Sequence, residues 1–413
     1  MAVIRAFRAL RPDSKYAEKV ISLPYDVMNG EEAARMAEGN PYSFLHICRS
    51  EIDLPKETDP YSRAVYQKAK DNLDEFLNSG VFVREELPML YLYRQTMNGR
   101  TQTGIVACVP ADEYGDGTIK KHELTRVEKE NDRICHFDVC SADTEPVFLT
   151  YRDDLRIRSV TEGWIGGHRP EYDFITEDGI GHALWKVDDP SVIAMLTELF
   201  REIPALYIAD GHHRSASAYK VAMKRRAEHP DFTGEEEFNY FMAAIFPAND
   251  LHIYDYNRVV RDRNGLSDEA LLEQIADAGF AIAEKGTERF APTEKHQFSL
   301  YLSGKWYELR ASREIIPGDS IRALDVSILQ ERILAPILGI EDPRTDRRID
   351  FVGGIRGLGE LERRCASDMQ LAFALCPVTT DELMQVADQG LVMPPKSTWF
   401  EPKLGSGLFL HEI

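Results

Sequence analysis

Over residues 59–80, DPYSRAVYQKAKDNLDEFLNSG, apolar side chains return every three to four positions. Val65, Ala69, Leu73, Phe76 and Leu77 fall on one helical face, and Gly80 ends the helix. A shorter helix, EEAARMAEG, closes at Gly39. The first strand is expected in AVIRAFRALRP, residues 2–12. MLYLYRQTMNGRTQTGIVACVP reads as a hairpin turning at Asn98-Gly99, and QFSLYLSGKWYELR as a second turning at Ser303-Gly304. PVFLTY, ALYIAD, YFMAAIFP, LHIYDYNRVV and LAFALCPV are short apolar runs of buried-strand type. SASAYKVAMKRRAEH and TTDELMQVADQG predict helices, and LDVSILQERILAPILGI predicts one that Pro336 interrupts.

The order of these elements predicts an α/β chain of the α+β type, with mixed, largely antiparallel sheets and flanking helices. The regular βαβ rhythm of a doubly wound sheet is missing. At 413 residues the chain is too long for one simple core. The loops at 110–117 and 261–265 suggest an N-terminal α/β region over 1–115, a core over 116–262 and a C-terminal α/β region over 263–413.

Charge narrows the partners. With 49 basic and 69 acidic residues the formal net charge is −20. Such a surface repels phosphate backbones and anionic lipid, so no DNA and no membrane is expected. A local basic pocket is still compatible with a small anion. The six cysteines form no C-x-x-C pair, and no zinc set completes Cys135 and Cys140. Residues 1–25 hold no signal-type apolar core and no 18-residue apolar run occurs, so a cytoplasmic protein is expected. Assembly into a homo-oligomer is compatible with the sequence.

Two stretches carry candidate chemistry. In YIADGHHRSASAYK, residues 207–220, a strand ends at Ala209 and a helix of small residues follows. The free N–H groups and positive dipole end of a helix start suit an anion. Gly211 allows close approach of a phosphate, and His212, His213, Arg214 and Ser215 add donors. Asp210 could cap the helix, bind Mg2+ or act as a base. In GTIKKHELTRVEKENDR, residues 117–133, His122 and Glu123 stand beside Lys120, Lys121, Thr125, Arg126 and Arg133. A His-Glu pair among cations suits proton transfer beside an anionic substrate. The charges from Glu128 to Asp132 read partly as a solvated helix face.

Weaker stretches are RIDFVGGIRGLGELERR, whose glycines do not match a dinucleotide fingerprint, and MPPKSTWFEPK, where two prolines precede Lys396. Near the start, Arg49 with Glu51 reads either as an ion pair or as part of a pocket.

In order, SLPYDV, NPYSFLHICRSEIDLP, IKKHELTRVEKENDR, PVFLTYR, YIADGHHRSASAY, LDVSILQ and MPPKSTWFEPKLGSGL resemble the signature set of the domain of unknown function 1015 family. The resemblance runs from about residue 3 to the C-terminus. Where that family often has a histidine before the arginine of YNRVV, this chain has Asn257. More distantly, ADGHHRSASA is similar to the phosphate-binding box of the ParB/sulfiredoxin-like superfamily, which includes free serine kinases. That resemblance implies a ParB/sulfiredoxin-like core, with Asp210, Gly211, His212, His213 and Arg214 at nucleotide phosphates.

The expected function is a nucleotide-dependent phosphotransferase acting on a small hydroxylated metabolite, with free serine among the candidates. ATP or ADP with Mg2+ would be the cofactor. Glu123, Asp210, His122 and His213 are the catalytic candidates. Lys120, Lys121, Thr125, Arg126, Arg133 and Lys396 are the substrate-binding candidates, and Asp210 and Glu123 the Mg2+ ligands. The alternatives are a non-catalytic nucleotide- or metabolite-binding regulator and a metal-dependent phosphohydrolase.

Overall fold

The two-residue turn expected at Asn98-Gly99 forms, with φ of 53° and 76° at its two positions. That left-handed pair matches the twist of the flanking strands, Leu90–Met97 and Arg100–Pro110, which pair antiparallel. In this computed structural model, which describes residues 1–413, the hairpin supplies the fifth and sixth strands of an eight-stranded sheet. The strands lie in the order Ile119–Lys120, Leu206–Asp210, Val147–Tyr151, Tyr240–Pro247, Arg100–Pro110, Leu90–Met97, Gly181–Val187 and Tyr172–Ile175. Leu206–Asp210 runs parallel to Ile119–Lys120, and Tyr240–Pro247 parallel to Val147–Tyr151; the other pairs are antiparallel.

The sheet's central runs are apolar because both faces are covered. Val147, Leu149, Ile208, Phe241, Ala243 and Ile245 share one core with Val221 and Ala222 of the helix His212–Glu228. Each Leu, Ile or Phe so buried contributes about 2 kcal/mol relative to exposure. A second core packs Leu73 and Phe76 of the helix Arg63–Asn78 with Phe44, Leu45 and Phe82. Beside it lies a four-stranded sheet in the order Phe82–Arg84, Ala9–Pro12, Leu410–Glu412 and Ala142–Asp143. The expected first strand is thus ordered as a ladder only over Ala9–Pro12, with single bridges at Arg5 and Phe7.

By its contacts the chain divides into two units, residues 1–251 with 402–413, and residues 252–401. The three expected segments do not coincide with them. Residues 1–115 and 116–251 belong to one unit, because Arg100–Pro110 pairs with Tyr240–Pro247 across that boundary. The last strand, paired through Ala9 and His411, returns residues 402–413 to the same unit.

The second unit is built on a six-stranded antiparallel sheet, ordered Phe280–Gly286, Lys305–Ala311, Gln297–Leu302, Leu371–Leu375, Tyr256–Val260 and Ile349–Gly353. Its hairpin turns at Ser303 and Gly304 as expected. The interrupted helix begins as Asp325–Leu329 and widens to a π-helical turn over Gln330–Leu334 before Pro336. Asn257 is fully buried; its Oδ1 accepts from the Leu375 N–H at 3.1 Å and its Nδ2 donates to Asp255. Gly353 lies where a Cβ would strike the Trp399 ring, so that glycine serves packing. No helix is long and apolar enough to cross a membrane. All six cysteines are unpaired.

Candidate active site

The strand Leu206–Asp210 enters its turn as expected. Gly211 adopts φ 92°, and the helix starts at His212 without a side-chain cap. A side chain at 211 would be strained at that φ, and its Cβ would sit 3.1 Å from Arg214 Nε. Arg214 therefore does not reach outward. It is buried, folds back across Gly211, and donates from Nη1 to the Pro146 carbonyl at 2.7 Å. Its Nε is buried without a well-formed hydrogen bond. Ser215 is also turned inward, its hydroxyl donating to the Gly211 carbonyl at 3.1 Å.

The parallel pairing of Ile119 with Leu206 draws the second candidate segment beside this helix start. His122 and His212 meet edge to face, ring centroids 4.5 Å apart. The His122 N–H points to His212 Nε2 at 3.4 Å, and Glu123 Oε2 lies 3.9 Å from His212 Nδ1. The Arg126 N–H donates to His213 Nε2 at 3.1 Å. An accepting Nε2 leaves the proton of a neutral imidazole on Nδ1. The Ser217 hydroxyl lies 2.7 Å from the His213 carbonyl and 3.1 Å from the Glu130 carbonyl, where the helix Val127–Cys140 meets His212–Glu228. The two motifs form one cluster.

Burial dominates the electrostatics. It pushes His122 and His212 down to about 3, and each histidine's neighbour opposes its charge further, His212 for His122 and His213 for His212. Both rings of His122 and His212 are neutral at pH 7. Neither ring nitrogen of His122 has a well-formed hydrogen bond. Burial alone would raise Asp210, but Lys403 and Arg214 outweigh it and hold the carboxyl far below its ordinary range. Lys403 Nζ lies 2.9 Å from Asp210 Oδ2. Asp143, buried with Oδ2 accepting from the Met242 N–H at 2.8 Å, is pushed up to about 8 by burial. The charges of Asp26 and Glu145 and the Tyr25 phenol act on Arg214.

Several of these residues escaped the reading of the sequence. Tyr25, Asp26 and Lys403 lie within recognised motifs but had no assigned role. Asp143 and Glu145 gave no signal, because only the pairing of Val147–Tyr151 with Leu206–Asp210 brings them near.

The remaining expected residues are distributed as follows. Arg133 is buried, with Nε and Nη2 3.1 and 2.9 Å from Asp132 Oδ2 and its guanidinium 3.9 Å from the Tyr25 ring centroid. Thr125 and Lys220 both bind the Glu130 carboxylate. The stretch from Glu128 to Asp132, expected partly as a solvated face, is buried at Glu130 and Asp132, whose charges meet Lys220 and Arg133. Lys120 and Lys121 lie 6.0 and 5.1 Å from the Tyr207 and Tyr114 ring centroids. Lys396 belongs to the second unit, 5.6 Å from the Tyr256 ring. Among the described residues no group of three or more His, Cys, Asp or Glu is arranged to hold a metal. Asp210, expected as a ligand, is instead paired with Lys403.

A family model described as "Protein of unknown function (DUF1015)" matches residues 4–327. No curated protein matches the chain. Among solved structures, a mutant free serine kinase in complex with AMP is similar over 73% of this chain and 92% of its own, at 14% identity and TM-score 0.36. SbnI with a C-terminal truncation, from Staphylococcus aureus, is similar over 74% of this chain and 87% of its own, at 11% identity and TM-score 0.40. A conserved hypothetical protein from Pyrococcus furiosus covers 73% and 95%, at 15% identity and TM-score 0.33.

Proposed function

The chain belongs to the DUF1015 family, whose name carries no activity, and we propose from its own site that it is a nucleotide-dependent phosphotransferase acting on a small hydroxylated metabolite. The observation that carries this reading is the uncapped helix start behind Gly211. The N–H groups of His212, His213 and Arg214 are the orphan donors of a 17-residue helix, and its positive end favours phosphate. The Nδ1–H of His213 adds a side-chain donor. Arg214 acts as a positioning residue under the turn rather than as a hand on the phosphate.

We assign to Glu123 the proton of the acceptor hydroxyl, because Asp210 is paired with Lys403. The acceptor oxygen would bond to the terminal phosphorus, the bond from that phosphorus to its bridging oxygen would break, and the nucleotide would leave with that electron pair. Mg2+ would neutralise phosphate charge in such a reaction. Such an ion would be held chiefly by nucleotide oxygens, with Glu123, rather than the Lys403-paired Asp210, as its protein carboxylate. Free serine stays a candidate acceptor on the resemblance of the Asp-Gly-His-His-Arg box.

The commitment of Asp210 to Lys403 also favours a second reading, a regulator that binds nucleotide without chemistry. One experiment separates the two. The protein is incubated with ATP or ADP, Mg2+ and a pool of amino acids and sugars, and nucleotide turnover is followed by phosphorus NMR. Turnover that Glu123→Gln lowers at least tenfold supports the transferase. Nucleotide binding without turnover supports the regulator. Absence of both removes both.

A further inference from the structure

A cavity of about 300 Å³ lies in the first unit, lined in part by Tyr25, Arg49, Glu51, Tyr61, Lys129 and Arg133. Its charges are not equally committed. Asp132 accepts from the Tyr66 hydroxyl at 3.0 Å and from Arg133, so that wall is satisfied. Arg49 is only partly used: Nη2 lies 2.8 Å from Glu51 Oε1 and Nη1 donates to the Tyr25 carbonyl at 3.3 Å, while Nε is buried without a partner. Lys129 Nζ meets only a neutral group there, the Tyr61 hydroxyl at 3.2 Å.

A buried guanidinium N–H left unmade is costly, and a cation and an anion held side by side match a ligand carrying both signs. The cavity edge also includes Asn29 and Gly30, where the helix Gly30–Ala37 begins with its start closed by the Asn29–Glu32 capping box. Size agrees. At about 30 Å³ per water, the volume takes an amino acid with several waters. A polyphosphate suits it poorly, because Glu51 would repel it. Tyr25 and Arg133 join this cavity to the phosphate cradle, since Arg133 Nη1 lies 3.9 Å from Glu145 and Glu145 and Tyr25 act on Arg214.

We propose that this cavity binds a free α-amino acid by both charged ends, its carboxylate on Arg49 and Lys129 and its ammonium on Glu51, with a hydroxylated side chain toward Tyr25 and Arg133. As the acceptor site, it rests on the phosphotransferase reading. As a binding site, it is tested separately.

The full chain is titrated calorimetrically with L-serine, L-threonine and L-homoserine, with and without ADP. Ethanolamine, which lacks the carboxylate, and glycerate, which lacks the ammonium, are the controls. At least one amino acid is expected to bind at least tenfold more tightly than either control. Arg49→Gln, Glu51→Gln and Lys129→Met should each weaken it at least tenfold and leave ADP binding unchanged. Because Arg49→Gln could disturb folding, the part-exposed Lys129→Met decides if that variant melts early. Failure of all three amino acids to bind, or equal binding by Lys129→Met, overturns the proposal. Amino-acid binding without any ADP binding would sink the transferase reading and leave this site standing.

Discussion

Lys403 Nζ and Asp210 Oδ2 lie 2.9 Å apart although 193 residues separate them in the chain. This pair fixes the exit of the strand on which the phosphate cradle is built. Both side chains are largely covered, 14% and 30% exposed, so the pair is worth more than a surface ion pair. Removing one partner leaves the other poorly solvated. Lys403→Met and Asp210→Asn are each expected to destabilise the protein by about 2 kcal/mol. The double variant should recover about 1 kcal/mol of the summed loss. Urea unfolding of the four proteins measures this, and strict additivity would show that the two residues are not coupled.

Gly211 is the position where the cradle tolerates least. Alanine there meets a strained φ of 92° and presses on the Arg214 guanidinium. Arg214 is held by the Pro146 carbonyl and cannot retreat freely. Gly211→Ala is therefore expected to cost about 1–2 kcal/mol of stability and to weaken ADP binding at least tenfold. Gly211→Asn should lose less stability, since asparagine visits the left-handed region more readily. Thermal shift with and without ADP reads both effects. Unchanged ADP affinity in Gly211→Ala would place the nucleotide elsewhere.

How much of this was legible in the sequence follows from the range of the interactions. The hairpins at Asn98-Gly99 and Ser303-Gly304 and the strand-turn-helix at Gly211 depend on neighbours in the chain, so residue type reveals them. The cluster of His122 with His212, and of Arg126 with His213, depends on one parallel pairing, Ile119 with Leu206, which no local pattern specifies. Arg214 looked like a phosphate hand because its type suits that task. Only the fold shows it turned under Gly211. Glu130 and Asp132 stand in a run of charges that local pattern assigns to solvent, but each finds its partner within the folded unit.

His122 and His212 make the protein sensitive to acid. Both sit near 3 when folded, against about 6.5 unfolded. Below pH 6.5 the unfolded chain takes up protons that the folded chain refuses, so stability falls as pH drops toward 3. Each histidine contributes a slope of about 1.4 kcal/mol per pH unit in that window. Asp143 acts oppositely. Folded at about 8 against the ordinary 3.8, it holds a proton that the unfolded chain releases, and it costs stability as pH rises to 8. His122→Leu should remove about one proton from the acid limb between pH 6 and 4. It should be neutral or stabilising at pH 7, because it deletes two buried nitrogens without well-formed bonds. Melting temperatures from pH 4 to 8 test this, and an unchanged acid limb would mean that His122 is protonated in the folded protein.

Asn257 shows what a motif residue can do without chemistry. It is fully buried and joins two neighbouring segments through the Leu375 N–H and the Asp255 carboxylate. Asp255 is raised above its ordinary value by burial, against the bond from Asn257. A histidine at 257 would be larger, and its donor and acceptor nitrogens are set on a ring whose spacing differs from the oxygen and nitrogen of the asparagine amide, so it cannot make both bonds in place. Asn257→His is expected to cost about 2 kcal/mol through overpacking and the orphaned Leu375 N–H. Asn257→Asp keeps the acceptor for Leu375 but sets two carboxylates together, and should cost a similar amount that shrinks as pH falls and one of the pair takes a proton. Nucleotide turnover per folded molecule should be unchanged in both. Denaturation at pH 5 and pH 8 checks the sign, and a loss for Asn257→Asp that grows at pH 5 would rule out the carboxylate pairing.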